Sequence, residues 1–169
     1  MADINPKFVD LLKNPVHFLA FGFGSGLAPK APGTFGTLMS VPLFVLMMQL
    51  NLWGYIAITV VVTLIGFYLC GKTAKDLGVH DHGGIVWDEF AGFFVTMLPL
   101  QAIGNIHDSR FWLITLLGFV VFRLFDALKP WPIIWFDKNV HGGLGIMVDD
   151  LVAGVASLAV VQGAIYGGL

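Results

Sequence analysis

The chain has 169 residues, of which 57% are hydrophobic and only 12% are charged, and its mean hydropathy is +0.83. An ordinary soluble domain carries about 25% charged residues, so a surface that faces water on every side is excluded. The net charge of −2 at pH 7 also argues against nucleic acid as the main partner. The sequence therefore predicts an all-α, polytopic membrane helical bundle that forms a single domain over residues 1–169.

Two long stretches lack charged residues, one between Lys30 and Lys72 and the other after Asp150. A helix needs about 20 mainly apolar residues to cross the hydrocarbon core, so the first stretch predicts two spans and the second predicts one. Together with two further apolar runs, this gives about five transmembrane helices, which are predicted at residues 35–50, 53–71, 90–106, 111–128 and 151–168. Before them come a cytoplasmic N-terminal segment (1–17) and an uncharged, glycine-containing segment (16–29), which is interfacial or re-entrant.

The distribution of Lys and Arg predicts the orientation of these spans, because positively charged loops stay in the cytoplasm. With the N-terminus inside, all of these residues except Arg110 fall on or near the cytoplasmic side. Trp53, Trp112, Trp131 and Trp135 lie near predicted span ends, as in the aromatic belts of membrane proteins. We therefore expect a multi-pass membrane protein whose N-terminus and three polar stretches face the cytoplasm.

The first polar stretch, residues 22–37, is rich in Gly and Pro and leads directly into the first predicted span. Thr34 or Thr37 is expected to cap the helix that follows. The free N–H groups of that helix start, next to Lys30, form a candidate phosphate-binding site. The alternative is a plain capped loop, because the G-x-x-x-x-G-K-[ST] spacing of a P-loop is missing.

Two acidic pairs, Asp88-Glu89 (in the second polar stretch, 81–92) and Asp149-Asp150, stand where predicted spans begin. Such pairs can simply complement a helix dipole. Two pairs that enter the membrane from one side instead favour convergence on a cation, because charges at this depth usually face a site. Carboxylate oxygens suit Mg²⁺, and Cys70 is the only cysteine. We therefore predict a Mg²⁺ site here.

The third polar stretch begins at Arg123, which shares a helix face with Asp126 three residues later. Lys129 stands immediately before Pro130, where the helix is expected to stop or kink. These side chains form either a local ion-pair ladder or the fixed cations of a phosphate site.

Four motifs, taken together in their order along the chain, make this sequence resemble the phosphatidylglycerophosphatase A family. The resemblance rests on the run Gly-Leu-Ala-Pro-Lys-Ala-Pro-Gly-Thr-Phe-Gly-Thr at 26–37, on Trp87-Asp88-Glu89 with Gly92, and on the segments 122–132 and 142–154. It implies a membrane enzyme that hydrolyses the terminal phosphomonoester of a phospholipid, phosphatidylglycerophosphate, to phosphatidylglycerol and inorganic phosphate. It also implies dependence on Mg²⁺ and a place in anionic phospholipid biosynthesis at the inner membrane. The expected location is therefore a bacterial inner membrane, with the active site on the cytoplasmic side.

The resulting hypothesis assigns three overlapping sets of residues. The predicted catalytic residues are Asp88, Glu89, Arg123, Asp126, Lys129, Asp149 and Asp150; the predicted phosphate-binding residues are Lys30, Thr34, Thr37, Arg123 and Lys129; and the predicted metal ligands are Asp88, Glu89, Asp149 and Asp150. Two alternatives stay open. One is a small ion or solute transporter that uses the intramembrane carboxylates for coupling, and the other is a non-catalytic subunit of a lipid-synthesis complex.

Overall fold

The fold is taken from a computed structural model of the chain, which describes residues 6–79, 82–103 and 106–169. Over these residues the chain forms helices and no strand, which confirms the predicted all-α class. The elements are α1 (Phe8–Leu12), α2 (Pro15–Ala20), a 3-10 helix (Gly22–Leu27), α3 (Pro32–Met47), α4 (Leu52–Leu77), α5 (Trp87–Thr96), α6 (Leu98–Ile103), α7 (Ser109–Leu128), α8 (Ile133–Asn139) and α9 (Gly142–Tyr166).

Three of the helices, α4, α7 and α9, are long and apolar enough to cross a membrane, and α3 is a shorter apolar helix. The predicted span 90–106 is divided instead into α5 and α6. Pro99 explains the break, because proline lacks the N–H that would continue a helix and is accommodated in a first turn. Residues 104 and 105 of that predicted span, like Asp81 in the second polar stretch, lie outside the described residues. The structure thus supports a membrane bundle, while the number of five spans stays a prediction.

Helix α9 begins at Gly142, nine residues before the predicted start of the last span at 151. The run from Gly142 to Gly145 contains three glycines, which have a low helix propensity. Close packing reverses this preference: a Cβ at Gly143 would lie 2.3 Å from the Phe67 carbonyl oxygen of α4. Asp149 and Asp150 are therefore two turns inside α9, too far from its N-terminus for the helix-dipole explanation to hold.

The expectation that Thr34 or Thr37 caps α3 is wrong. The helix begins at Pro32 with Ala31 in the N-cap position and no side-chain cap. Proline favours the first helical position because its missing N–H would have no partner there in any case. The hydroxyl of Thr37 instead donates to the carbonyl oxygen of Gly33 at 2.9 Å, so Thr37 lies within the helix.

Helix α5 lies at the centre of the bundle, packed against α3, α4, α7 and α9. It is buried on nearly all sides, so its aromatic residues contact several helices at once. The ring of Phe93 packs edge-on against Phe44 of α3 and Phe122 of α7. Against α9 the backbones themselves approach, since a Cβ at Gly154 would lie 2.5 Å from the carbonyl oxygen of Gly92. Small residues allow this close helix contact in membranes.

The N-terminal segment covers the loop that leads into α5. Helix α2 and the 3-10 helix have six residues each, too few to cross a membrane. The backbone N–H of Val86 donates to the carbonyl oxygen of Ala20 at 2.9 Å, and Phe21 is fully buried. His17 Nε2 lies 3.0 Å from Asp76 Oδ2 near the end of α4. Segment 16–29 therefore packs at the end of the bundle where α4 finishes and α5 starts.

The contact between Gly92 and Gly154 predicts a position-specific effect of one methyl group. We expect Gly154→Ala to destabilise the protein by about 1–3 kcal/mol, because the methyl group meets backbone atoms that cannot rotate away. Unfolding in detergent micelles, followed by circular dichroism during SDS titration, measures this change.

Gly163→Ala is the matched control on the same helix, because a Cβ at Gly163 would meet no atom of the described residues within 4 Å outside the backbone of its own helix. This control should be neutral, or more stable by up to about 1 kcal/mol, from helix propensity alone. Equal stability of the two variants would contradict the packing described here.

Candidate active site

Helices α5 and α9 bring three carboxylates together inside the bundle. Asp88 and Glu89 are the second and third residues of α5, and Asp150 lies on α9. One oxygen from each of the three lies within 4.8 Å of the others. The exposed fraction of the whole residue is only 7% for Glu89 and 3% for Asp150. The predicted convergence of the two acidic pairs therefore exists for these three residues.

The glycine contact between α5 and α9 explains why the acids meet. Gly92 follows Asp88 by four residues, and Gly154 follows Asp150 by four. Residues four apart lie on the same helix face, one turn from each other. Close approach of the two backbones at the glycines therefore places the preceding turns, which carry the acids, opposite one another.

Arg123 connects three helices at this site. Its Nη1 lies 3.4 Å from Glu89 Oε1 on α5, contacts Asp126 Oδ2 on α7 and lies 3.5 Å from Thr37 Oγ1 on α3. A Cβ at Gly33 would lie 2.2 Å from Glu89 Oε1 and 2.8 Å from Arg123 Nη2, so the first turn of α3 lies directly against this ion pair. The predicted pair of Arg123 and Asp126 forms, and it belongs to a network larger than a ladder within one helix.

Lys129 lies between two carboxylates at the end of α7. The helix ends before Pro130 as predicted, and Lys129 takes the left-handed conformation (φ 43°) in the C-cap position. Its Nζ lies 2.6 Å from Asp149 Oδ2 and contacts Asp137 Oδ1 on α8. Partial burial alone lowers the pKa of Lys129, but hydrogen bonds to Asp137 and Asp149 outweigh it and raise the pKa above its ordinary value. The ammonium group therefore stays charged at neutral pH.

Asp137 was not among the predicted site residues. It follows Lys129 by eight residues, beyond a turn and on a different helix, so no helical spacing relates the two. The only sequence signal is its nearness to Lys129 across Pro130 and Pro132, which allow the chain to reverse.

The remaining predicted residues lie around this core. Asp149 is directed towards Lys129 and is not one of the three clustered carboxylates, so its role as a metal ligand stays a prediction. Lys30 is exposed and forms no ion pair with a described residue, and Thr34 is half-buried in the first turn of α3. The structure brings Thr37 to Arg123. The phosphate-binding roles of Lys30, Thr34 and Thr37 stay predictions.

The site contains more negative than positive groups. Six carboxyl groups, those of Asp88, Glu89, Asp126, Asp137, Asp149 and Asp150, lie around the cations of Arg123 and Lys129. Three of the carboxyl groups leave a buried oxygen without a hydrogen-bond partner among the described residues: Glu89 Oε2, Asp149 Oδ1 and Asp150 Oδ2. Burying unpaired charge is costly, so a cation or bound protons must neutralise the cluster. Oxygen donors in this number fit a hard divalent cation such as Mg²⁺.

Comparison with known proteins identifies the family. The sequence matches the family model of phosphatidylglycerophosphatase A over residues 18–165, a range that contains every predicted site residue. The chain belongs to the phosphatidylglycerophosphatase A family. It is 51% identical over 164 residues to phosphatidylglycerophosphatase A of Escherichia coli (strain K12), covering 94% of this chain and 91% of that protein.

Two further relatives extend this similarity. Phosphatidylglycerophosphatase A of Haemophilus influenzae (strain ATCC 51907 / DSM 11121 / KW20 / Rd) is 43% identical and covers 95% of each chain. A putative phosphatidylinositol-3-phosphatase of Bacteroides thetaiotaomicron is 33% identical over 92% of this chain and 93% of that protein. No solved structure matches the chain. The predicted family resemblance is confirmed, and the family makes this chain an enzyme, a phosphatase.

The ion pair between Arg123 and Glu89 predicts strong coupling between the two side chains. Arg123→Met should destabilise the protein by about 3–5 kcal/mol, because it leaves buried carboxylates without their cation. Adding Glu89→Gln to Arg123→Met should recover part of that loss, because one of those carboxylates is then uncharged. SDS-titrated unfolding of both single variants and the double variant gives the coupling energy.

Arg110→Met is the matched control, because Arg110 forms an exposed ion pair with Asp108 at the other end of α7. It should change stability by less than about 1 kcal/mol. Additive effects of the Arg123 and Glu89 substitutions would show that the two side chains do not interact.

Proposed function

We propose that this phosphatase hydrolyses the terminal phosphomonoester of phosphatidylglycerophosphate to phosphatidylglycerol and inorganic phosphate, a step of anionic phospholipid biosynthesis. The observation that carries the proposal is the buried cluster of Asp88, Glu89 and Asp150 beside the fixed cation of Arg123. Two relatives that match nearly the whole chain are named for this activity. The transporter and non-catalytic alternatives find no support among the relatives.

The proposed cofactor is Mg²⁺, held by Asp88, Glu89 and Asp150. The unpartnered oxygens of Glu89 and Asp150 support this assignment, because metal coordination would satisfy them. Asp149 would contribute to the site by holding Lys129 in place, or by binding Mg²⁺ through its own unpartnered oxygen. Bound Mg²⁺ supplies Lewis acidity that neutralises charge on the phosphoryl group and makes water a better nucleophile.

Arg123 is suited to bind the phosphoryl oxygens. Its Nη1 is used by protein partners, whereas its buried Nε has no hydrogen-bond partner among the described residues. A guanidinium group that offers further N–H donors binds phosphate strongly and with defined orientation. Asp126 would orient Arg123 through their ion pair. Lys129 would add a second positive charge, whose place is set by Asp137 and Asp149. A carboxylate of the cluster would accept the proton from the attacking water.

The location of the site at one end of an apolar bundle suits a lipid substrate. The phosphate of a phospholipid lies at the membrane surface while its acyl chains extend into the bilayer. Trp131 and Trp135, which lie in the turn after α7 and in α8, are exposed beside the site. Exposed tryptophans at a helix end are typical of the headgroup level of a membrane.

Substitutions of the carboxylate cluster test the proposal directly. Asp150→Asn and Glu89→Gln should each lower phosphate release from phosphatidylglycerophosphate by at least about 100-fold, because either change removes a charge that binds the cation or the proton. Phosphate release by purified protein in detergent micelles is measured with added Mg²⁺ and with EDTA. The wild type should turn over with Mg²⁺ and lose activity in EDTA.

The matched control is Asp10→Asn, which makes the same chemical change at an exposed residue that pairs with Lys13. It should keep wild-type activity. Full activity of folded Asp150→Asn would refute the role of the cluster, and full activity in EDTA would refute the role of Mg²⁺.

We propose further that the protein lies in a bacterial inner membrane with this site facing the cytoplasm. Cysteines introduced at exposed Asn139 and His107 test the orientation without removing any Lys or Arg. Cys70 is buried and should stay unlabelled. In intact spheroplasts a membrane-impermeant maleimide should label His107→Cys, whereas Asn139→Cys should react only after lysis. The reverse pattern would place the site on the outer face.

A further inference from the structure

An apolar groove lies on the outside of the bundle between α7 and α9. Its six lining residues are all apolar: Val121, Leu124, Phe125, Leu128, Pro130 and Val160. Its volume is about 380 Å³, within the range of about 300–1,000 Å³ that is typical of small-molecule sites. The α7 residues recur at spacings of three and four, so they line one face of that helix. Leu124 and Leu128 are 52% and 73% exposed.

The groove is continuous with the end of the bundle that carries the active site. Leu128 and Pro130 line the end of the groove nearest the end of α7, and they are the two neighbours of Lys129 in the chain. The Nζ of Lys129 lies 2.6 Å from Asp149 Oδ2 on α9, so an ion pair joins the same two helices that form the groove walls. From this end the groove extends along α7 to Val121, about 10 Å at a rise of 1.5 Å per residue.

We propose that this groove binds one acyl chain of the phospholipid whose phosphate occupies the active site; the inference rests on the proposed function. A phosphate near Arg123 and Lys129 places the glycerol backbone of the lipid at the end of the bundle. Its acyl chains must then extend into the bilayer along the helices, in the direction from Lys129 towards Val121. The wholly apolar lining offers no partner to a phosphate or sugar group and matches a hydrocarbon chain.

The bilayer itself limits how strongly the groove can bind. Lipid tails are as apolar as the groove, so exclusion of water does not favour an acyl chain in the groove over one in the surrounding bilayer. The advantage comes from dispersion contacts between the chain and the groove walls, and from tethering, since the headgroup is held in the adjacent site. The groove is therefore expected to improve the apparent affinity for long-chain substrate by several-fold, with no change in the chemical step.

Filling the groove tests the proposal. Leu124→Trp and Val160→Trp place a large apolar side chain in it from opposite walls, and Leu116→Trp makes the same change at an exposed position of α7 outside its lining. Activity is measured in mixed micelles on dioleoyl and dihexanoyl phosphatidylglycerophosphate. The groove variants should raise the apparent KM for the dioleoyl lipid by about three- to tenfold. They should leave its kcat and both constants for the dihexanoyl lipid unchanged, and Leu116→Trp should behave as wild type.

Each other outcome overturns the acyl-chain assignment. An unchanged KM for the dioleoyl lipid shows that the groove does not hold its chain, and equal changes for both lipids show a general structural effect. Size-exclusion chromatography with light scattering reveals a change of oligomeric state in the groove variants, which would assign the groove to a contact between copies of the chain. Absence of turnover by the wild type on either lipid refutes the proposed function itself, and this is seen before any variant is compared.

Discussion

Burial of a carboxylate cluster beside two partly buried cations, inside an apolar bundle, is the constraint on which the rest of the structure depends. In such surroundings a charge must be paired or bound, since its unpaired burial is costly. The carboxylates of α5 and α9 come close together because α5 is a short helix packed among four others. Its backbone meets that of α9 at Gly92 and Gly154. A side chain at either glycine would separate the turns that carry the acids. The chemistry of the site and the packing of the core therefore depend on the same contact.

The connections from this cluster reach several other parts of the molecule. Arg123 joins α7 to α5 and to α3, while Lys129 joins the end of α7 to α8 and α9. Each cation contacts a carboxylate from a distant segment of the chain. The pairs of Arg123 with Glu89 and of Lys129 with Asp149 therefore depend on the tertiary fold. Networks of this kind position side chains through several partners at once. This is the arrangement that a site needs if its donors are to meet a phosphate group without rearrangement.

The sequence predicts much of this arrangement, and the errors have physical causes. Charged residues at or near the ends of apolar runs are visible in the sequence. Asp88, Arg123 and Asp150 could therefore be predicted directly as site residues. Helix ends were less predictable, because local preference competes with packing. The last span was predicted to begin at residue 151, whereas α9 begins at Gly142, because the contact of Gly143 with α4 requires a residue without a side chain. Asp137 was missed because its relation to Lys129 depends on a change of direction that no helical period describes.

The depth of the acids has a consequence for how the enzyme meets its substrate. A site two turns inside α9 is shielded from bulk water, which strengthens its electrostatic interactions with a phosphoryl group. The same depth would be an obstacle for a soluble substrate, but a phospholipid already lies in the membrane. In the proposed function its headgroup would lie at the level of the exposed Trp131 and Trp135. In the proposed function, the lipid needs only to move laterally for its phosphate to reach Arg123. In the proposed function, burial of the charged cluster and the membrane origin of the substrate therefore belong together: the bilayer would deliver the phosphate and the bundle would provide the charges that receive it.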